Sequence, residues 1–138
     1  MSVDFDRLQA PSPRESMHSE LLLTRNRHEI RPSLDSIGHV FDFAAWLKIK
    51  NSQDIPVLLL LEHEDFRGEM WYIVDSARVR NVKGTVLMSG RVEIKEKRLK
   101  SLNLYICHPN PDLKVEVEEL RFNGELVRKD YIEAFNVA

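Results

Sequence analysis

His39-Val40-Phe41-Asp42-Phe43-Ala44-Ala45-Trp46-Leu47-Lys48-Ile49-Lys50 alternates with a period of two. Phe41, Phe43, Ala45, Leu47 and Ile49 fall on one side, and Asp42, Ala44, Trp46, Lys48 and Lys50 on the other. A β-strand sends successive side chains to opposite faces, so this is the pattern of a strand with one apolar and one mostly polar face. The inner piece Phe43-Ala44-Ala45-Trp46-Leu47 would by itself tolerate a helix. The five-step alternation decides for the strand.

Working outward toward the C-terminus, Asn51-Ser52-Gln53-Asp54 reads as a turn. Residues 57–62 are continuously apolar up to Glu62, which suits a strand at the centre of a sheet. After a turn at Asp65-Phe66-Arg67-Gly68 comes a strand over 69–75, then shorter ones over 78–82 and 85–88. Residues 91–95 alternate with Val92 and Ile94 inward. Residues 99–107 alternate with Leu102, Leu104 and Ile106 inward and Asn103, Tyr105 and Cys107 outward. In the stretch 113–122, Val115 and Val117 share a face while Leu120 and Phe122 are in the opposite phase. One extra residue at Glu118-Glu119, a β-bulge, reconciles them. Asn123-Gly124 is a type I′ turn signal; residues 125–129 can pair back, and 131–138 form a short helix or a tail.

Toward the N-terminus, a first strand is expected over 20–24, followed by a connection over 25–33 that contains Pro32. Residues 1–18 carry Ala10-Pro11-Ser12-Pro13 and read as a flexible segment. Many short strands, frequent turns and no long helical pattern give an all-β, antiparallel two-sheet β-sandwich, with its centre over 37–122 and a single domain over 19–138.

Composition agrees with one soluble domain: 138 residues, 43% hydrophobic and 30% charged. The net charge of −2, with basic residues spread along the chain, gives no footprint for nucleic acid or an anionic membrane. No apolar stretch approaches the ~20 residues that span a bilayer. The start Met1-Ser2-Val3-Asp4-Phe5-Asp6 is acidic and polar, so the chain as given reads as cytoplasmic, and as extracytoplasmic if it is a piece of a longer protein. Cys107 is the sole cysteine, which excludes an internal disulfide and a zinc site built on cysteine pairs.

No catalytic motif stands out. His18, His28, His39, His63 and His108 lack the close spacing of metal ligands. His63-Glu64-Asp65 is the densest set of ligand types, but it sits where a strand enters a turn and polar residues are expected anyway. Cys107 and His108 are neighbours, so on a strand their side chains point apart, against a nucleophile and base pair. Glycines are scattered singly, and nothing singles out a carboxylate pair for glycoside hydrolysis. Neither catalytic residues, metal nor cofactor is therefore expected.

The residues opposite the core are more informative. They are Asp42, Trp46 and Lys48 on one strand, and Arg91, Glu93, Asn103 and Tyr105 on others. If these strands share a sheet, its open face holds an indole and a phenol among hydrogen-bonding groups. Such a surface stacks on the C–H face of a sugar ring and takes its hydroxyls. The simpler account is that Trp46 packs beneath a loop or the N-terminal segment.

Ser19-Glu20-Leu21-Leu22-Leu23-Thr24-Arg25, Pro32-Ser33-Leu34-Asp35 and Phe41-Asp42-Phe43-Ala44-Ala45-Trp46-Leu47-Lys48 come in the order of three early motifs of carbohydrate-binding modules. Leu102-Asn103-Leu104-Tyr105-Ile106 and Val115-Glu116-Val117-Glu118-Glu119-Leu120 match two later ones, so residues 19–122 resemble families 4, 9 and 22 of those modules. The resemblance implies a galactose-binding-like jelly roll that binds an oligo- or polysaccharide in a concave cleft. Trp46 and Tyr105 would be the stacking platforms, with Asn103, Arg91, Asp42 and Glu93 as polar contacts. The chain departs from the family at Arg27-His28-Glu29, where an aromatic is usual, and at Glu118-Glu119, where an Asp pair stands. The other expectation is a structural or protein-interaction sandwich, a homodimer included, that has lost the sugar site.

Overall fold

A computed structural model describes residues 11–30, 38–50, 55–79, 85–96 and 98–127. Within them, eight strands follow a short 3-10 turn at Pro13–Glu15: β1 His18–Asn26, β2 His39–Lys50, β3 Ile55–Asp65, β4 Gly68–Val79, β5 Thr85–Ile94, β6 Leu99–His108, β7 Lys114–Phe122 and β8 Glu125–Leu126. They form two antiparallel four-stranded sheets, sheet A in the order β1-β6-β3-β4 and sheet B in the order β5-β2-β7-β8. Only β3–β4 and β7–β8 are neighbours in both sequence and sheet; the other connections carry the chain across the sandwich.

The alternation of β2 is realised in full: Phe41, Phe43, Ala45, Leu47 and Ile49 are all buried. They meet Leu59, Leu61, Leu102, Leu104 and Ile106 of sheet A in one core. Both faces of a sheet are apolar only where both are covered. The apolar β3 duly lies in the interior of its sheet, between β6 and β4.

The extra residue expected at Glu118-Glu119 is present. Along the β2–β7 ladder Trp46 pairs with Glu119 and Leu47 with Val117, so Glu118 is unpaired. This bulge restores Leu120 to the core, at 1% exposure. The Asn123-Gly124 turn also holds: both residues have positive φ, 52° and 80°, as a type I′ turn requires. Asn123 closes the turn onto β2, its amide donating to the Asp42 carbonyl at 2.8 Å and its side-chain oxygen accepting from the Asp42 amide at 2.8 Å.

Several boundaries move. β1 runs longer than residues 20–24, because a register shift between Leu21 and Leu23 inserts Leu22 and lets both Leu22 and Leu23 turn inward. Arg25 and Asn26 thus belong to β1 and not to the connection. Arg78 belongs to β4, and residues 85–88 and 91–95 merge into a single β5. At Gly90 a Cβ would lie 2.4 Å from the Val74 carbonyl, so β4 and β5 approach through bare backbone there. Val74 is itself the extra residue of a β4 bulge, since Leu59 pairs with Asp75 and Leu60 with Ile73. The expected turn at 51–54 and the alternatives for 131–138 lie outside the described residues, as do residues 1–10.

Candidate functional site

The six residues singled out from the sequence do not share a sheet. Asp42 and Trp46 on β2 and Arg91 and Glu93 on β5 belong to sheet B. Asn103 and Tyr105 on β6 belong to sheet A. All six are on the side of their strand away from the core, and the outward sides of two packed sheets face in opposite directions. Trp46 and Tyr105 therefore cannot grip one ligand together. Period-two alternation fixes whether a side chain points in or out, but says nothing about which sheet holds the strand.

On sheet B the outward residues form rows across the strands. Glu119, Trp46 and Leu87 stand side by side on β7, β2 and β5. The next row is Leu126, Arg121, Ala44 and Ser89, from β8 to β5. Beyond it Asp42 pairs with Arg91 and Val40 with Glu93. Trp46 is half-buried, and no described part of the N-terminal segment reaches this face. Leu87 stands open beside it at 50% exposure, while Leu126, two strands away on β8, and Val40, three rows along β2, are 54% and 40% exposed.

Ion pairs stand on either side of Trp46 and Leu87. Arg91 Nε donates to Asp42 Oδ1 at 2.8 Å, and Arg121 Nε to Glu119 Oε2 at 3.0 Å. The bond to Asp42 pushes the Arg91 guanidinium above its ordinary value. The bulge contributes directly: Glu118, freed from the ladder, accepts from Thr85 Oγ1 at 2.6 Å, reaching past β2 to β5. One inserted residue thereby sets two carboxylates, Glu118 and Glu119, beside Trp46.

The outward face of sheet A is different. There Leu21, Tyr105, Leu60 and Ile73 form a row across all four strands. Arg14, on the segment entering β1, crosses this face: its guanidinium lies 4.3 Å from the centroid of the Tyr105 ring and its Nε donates to Glu62 Oε2 at 2.8 Å. Asn103 Oδ1 accepts from Thr24 Oγ1 at 2.7 Å. Burial pushes the Tyr105 phenol up, against the opposing pull of Arg14. Cys107, expected to point outward, is on that side of β6 yet fully buried. Burial raises its thiol to about 11, with the Glu62 carboxylate adding to the shift.

The His63-Glu64-Asp65 set serves the β3–β4 turn. His63 and Asp65 are buried, with Nε2 3.3 Å from Oδ2, and Asp65 Oδ1 accepts from the Arg67 amide at 2.8 Å. Among the described residues no three His, Cys, Asp or Glu side chains converge on a point where a metal ion could sit.

No protein-family model matches this chain, and no curated protein matches it. Similar solved structures include that of the infectious bursal disease virus Gx strain, at 16% identity and a TM-score of 0.39. Another is the VP2 subviral particle of infectious bursal disease virus, at 14% identity and a TM-score of 0.41. Each match covers 77% of this chain and 26% of the viral one. Likeness of this degree says nothing about what the present chain binds.

Proposed function

We propose that this domain is a non-catalytic interaction module whose outward face on sheet B docks against a protein surface, a second copy of the chain being the partner tested first. The observation that carries this reading is the apolar pair Trp46 and Leu87 on neighbouring strands, bordered by the Glu119–Arg121 pair on β7 and by the Asp42–Arg91 pair further along β2 and β5. A half-buried aromatic with an open aliphatic neighbour and a charged rim is the anatomy of a protein interface, in which Trp and Arg supply most of the energy. On sheet A, Leu21 and Ile73 are as exposed as Leu87, at 49% and 48%, but they stand on its two edge strands with Arg14 lying over Tyr105 between them.

Sedimentation velocity across a concentration series tests the proposal. The wild-type chain associates reversibly, and Leu87→Glu, at an open position, abolishes association without lowering the melting temperature. A monomer at all concentrations removes the second copy as partner, and unchanged association of Leu87→Glu and Trp46→Ala overturns the assigned face.

A second reading is favoured by one feature: the Trp46 indole shares its face with Asp42, Arg91 and Glu93, four of the six residues expected to hold a sugar. In this reading an oligosaccharide stacks on Trp46 alone, without Tyr105 or Asn103. A glycan array distinguishes the two. Binding lost in Trp46→Ala and kept in Leu87→Glu selects the sugar; no glycan bound by a well-folded chain rejects it.

A further inference from the structure

Away from both sheet faces, the turn after β1, the β3–β4 turn and the start of β6 enclose an open cavity of about 500 Å³. Its apolar wall is Ile30 and Leu99, buried at 8% and 5% exposure, with the Phe66 ring standing at the mouth, 64% exposed. Arg27, Arg98 and Lys100 line the same space, and none forms an ion pair with a described residue. Two carboxylates stand close by, each held by a backbone amide. Glu96 Oε2 lies 3.6 Å from Arg67 Nη2, and its Oε1 accepts from the Arg98 amide at 3.0 Å; Glu29 accepts from the Asn26 amide at 3.2 Å. The loop bearing Arg27 is held in shape by Asn26 Oδ1, which accepts from the amides of His28 and Glu29 at 2.9 and 3.2 Å.

Three cations line one cavity in a chain of net charge −2, so an anion seated there is attracted by all of them. Guanidinium and ammonium groups together suit the several oxygens of a phosphate. Phe66 with Ile30 and Leu99 suits a flat ring, and the volume is within the ~300–1,000 Å³ usual for small-ligand sites. We propose that this cavity binds a phosphorylated small molecule bearing a planar ring, of the nucleoside monophosphate class. The phosphate lies among Arg27, Arg98 and Lys100, and the ring lies over Phe66. This site is independent of the Trp46 face.

Isothermal titration with adenosine monophosphate, adenosine, inorganic phosphate and a short single-stranded oligonucleotide tests it. Adenosine monophosphate binds at one site per chain, more weakly as salt rises. Adenosine and inorganic phosphate each bind at least about tenfold more weakly, because each forfeits one half of the site. The double variant Arg98→Ala/Lys100→Ala loses at least about tenfold in affinity and Phe66→Ala several-fold. Both changes are at exposed positions, and melting curves verify that the fold is intact. Absence of saturable binding, unchanged affinity in the double variant, or inorganic phosphate binding as tightly as the nucleotide overturns the proposal. Tighter binding of the oligonucleotide, stoichiometric with its length, also overturns it by assigning the cations to a nucleic-acid strand.

Discussion

The outward faces of the two sheets start from the same sequence pattern and end in different states. On sheet A, Leu60 and Cys107 on the central strands point away from the core yet are fully buried, while Leu21 and Ile73 on the edge strands are 49% and 48% exposed. On sheet B, Leu87 also points away from the core and is 50% exposed. The edges are thus alike and the centres differ: Arg14 ties the segment before β1 across Tyr105 and Glu62, while no described segment crosses Trp46. Alternation distinguishes core from non-core. Only the path of the rest of the chain determines whether a non-core face is free to bind.

The largest effect is expected from the bulge that shapes the open face. Inserting one further residue after Glu119 moves Leu120 and Phe122 to the solvent side, since a one-residue slip exchanges the two faces of a strand, whereas deleting Glu118 would only leave β7 in regular alternation. Loss of those buried groups costs more than about 4 kcal/mol, so the chain no longer folds cooperatively in a thermal melt. A well-folded insertion variant would show that the bulge takes up a second extra residue and does not set the register.

Next comes a direct contrast between the faces. Leu60→Ala should cost about 2–5 kcal/mol, as for a core leucine, and Leu87→Ala less than about 1 kcal/mol. Chemical denaturation of both variants measures this. Equal costs would mean that the two faces are covered alike.

A smaller, pH-dependent effect belongs to sheet A. The folded-state pKa of Cys107 is raised from 9.0 to about 11, so the folded protein holds the neutral thiol. Its contribution is full below pH 9 and is lost as pH rises toward 11, where the unfolded chain ionises more readily. The raised Tyr105 phenol acts in the same direction at higher pH. Urea unfolding of the wild type and of Cys107→Ala at about pH 7 and about pH 10 should show a steeper alkaline loss in the wild type. Parallel losses would mean that Cys107 ionises freely in the fold.

The smallest effect is on the rim of sheet B. Arg91 and Asp42 side chains are 64% and 49% exposed, so a double-mutant cycle with Ala at both should give a coupling below about 1 kcal/mol. A larger coupling would show that this pair is shielded from water and belongs to a closed site.

Much of the fold was legible. β2 has the bounds its alternation gives, the bulge is at Glu118, and the β7–β8 turn is at Asn123–Gly124, because each depends on neighbours in sequence. The candidate site was legible only in half. Asp42, Trp46, Arg91 and Glu93 share one face, spread over several rows, because β2 and β5 pair, whereas Tyr105 and Asn103 went to the other sheet, a long-range outcome that no local pattern encodes. The cover over Tyr105 depends on a single arginine in a segment read as flexible. The cationic cavity is of the same kind: Arg27, Arg98 and Lys100 look like scattered surface charge until β1 and β6 are paired.

The central claim, that sheet B presents the open recognition face, is tested most directly by hydroxyl-radical footprinting of the wild-type chain at low and high concentration. Protection that grows with concentration at Trp46, Leu87 and Leu126, with Leu21 and Ile73 unchanged, is the predicted result. Protection confined to Leu21, Ile73 and Tyr105 would place the interface on sheet A and contradict the account.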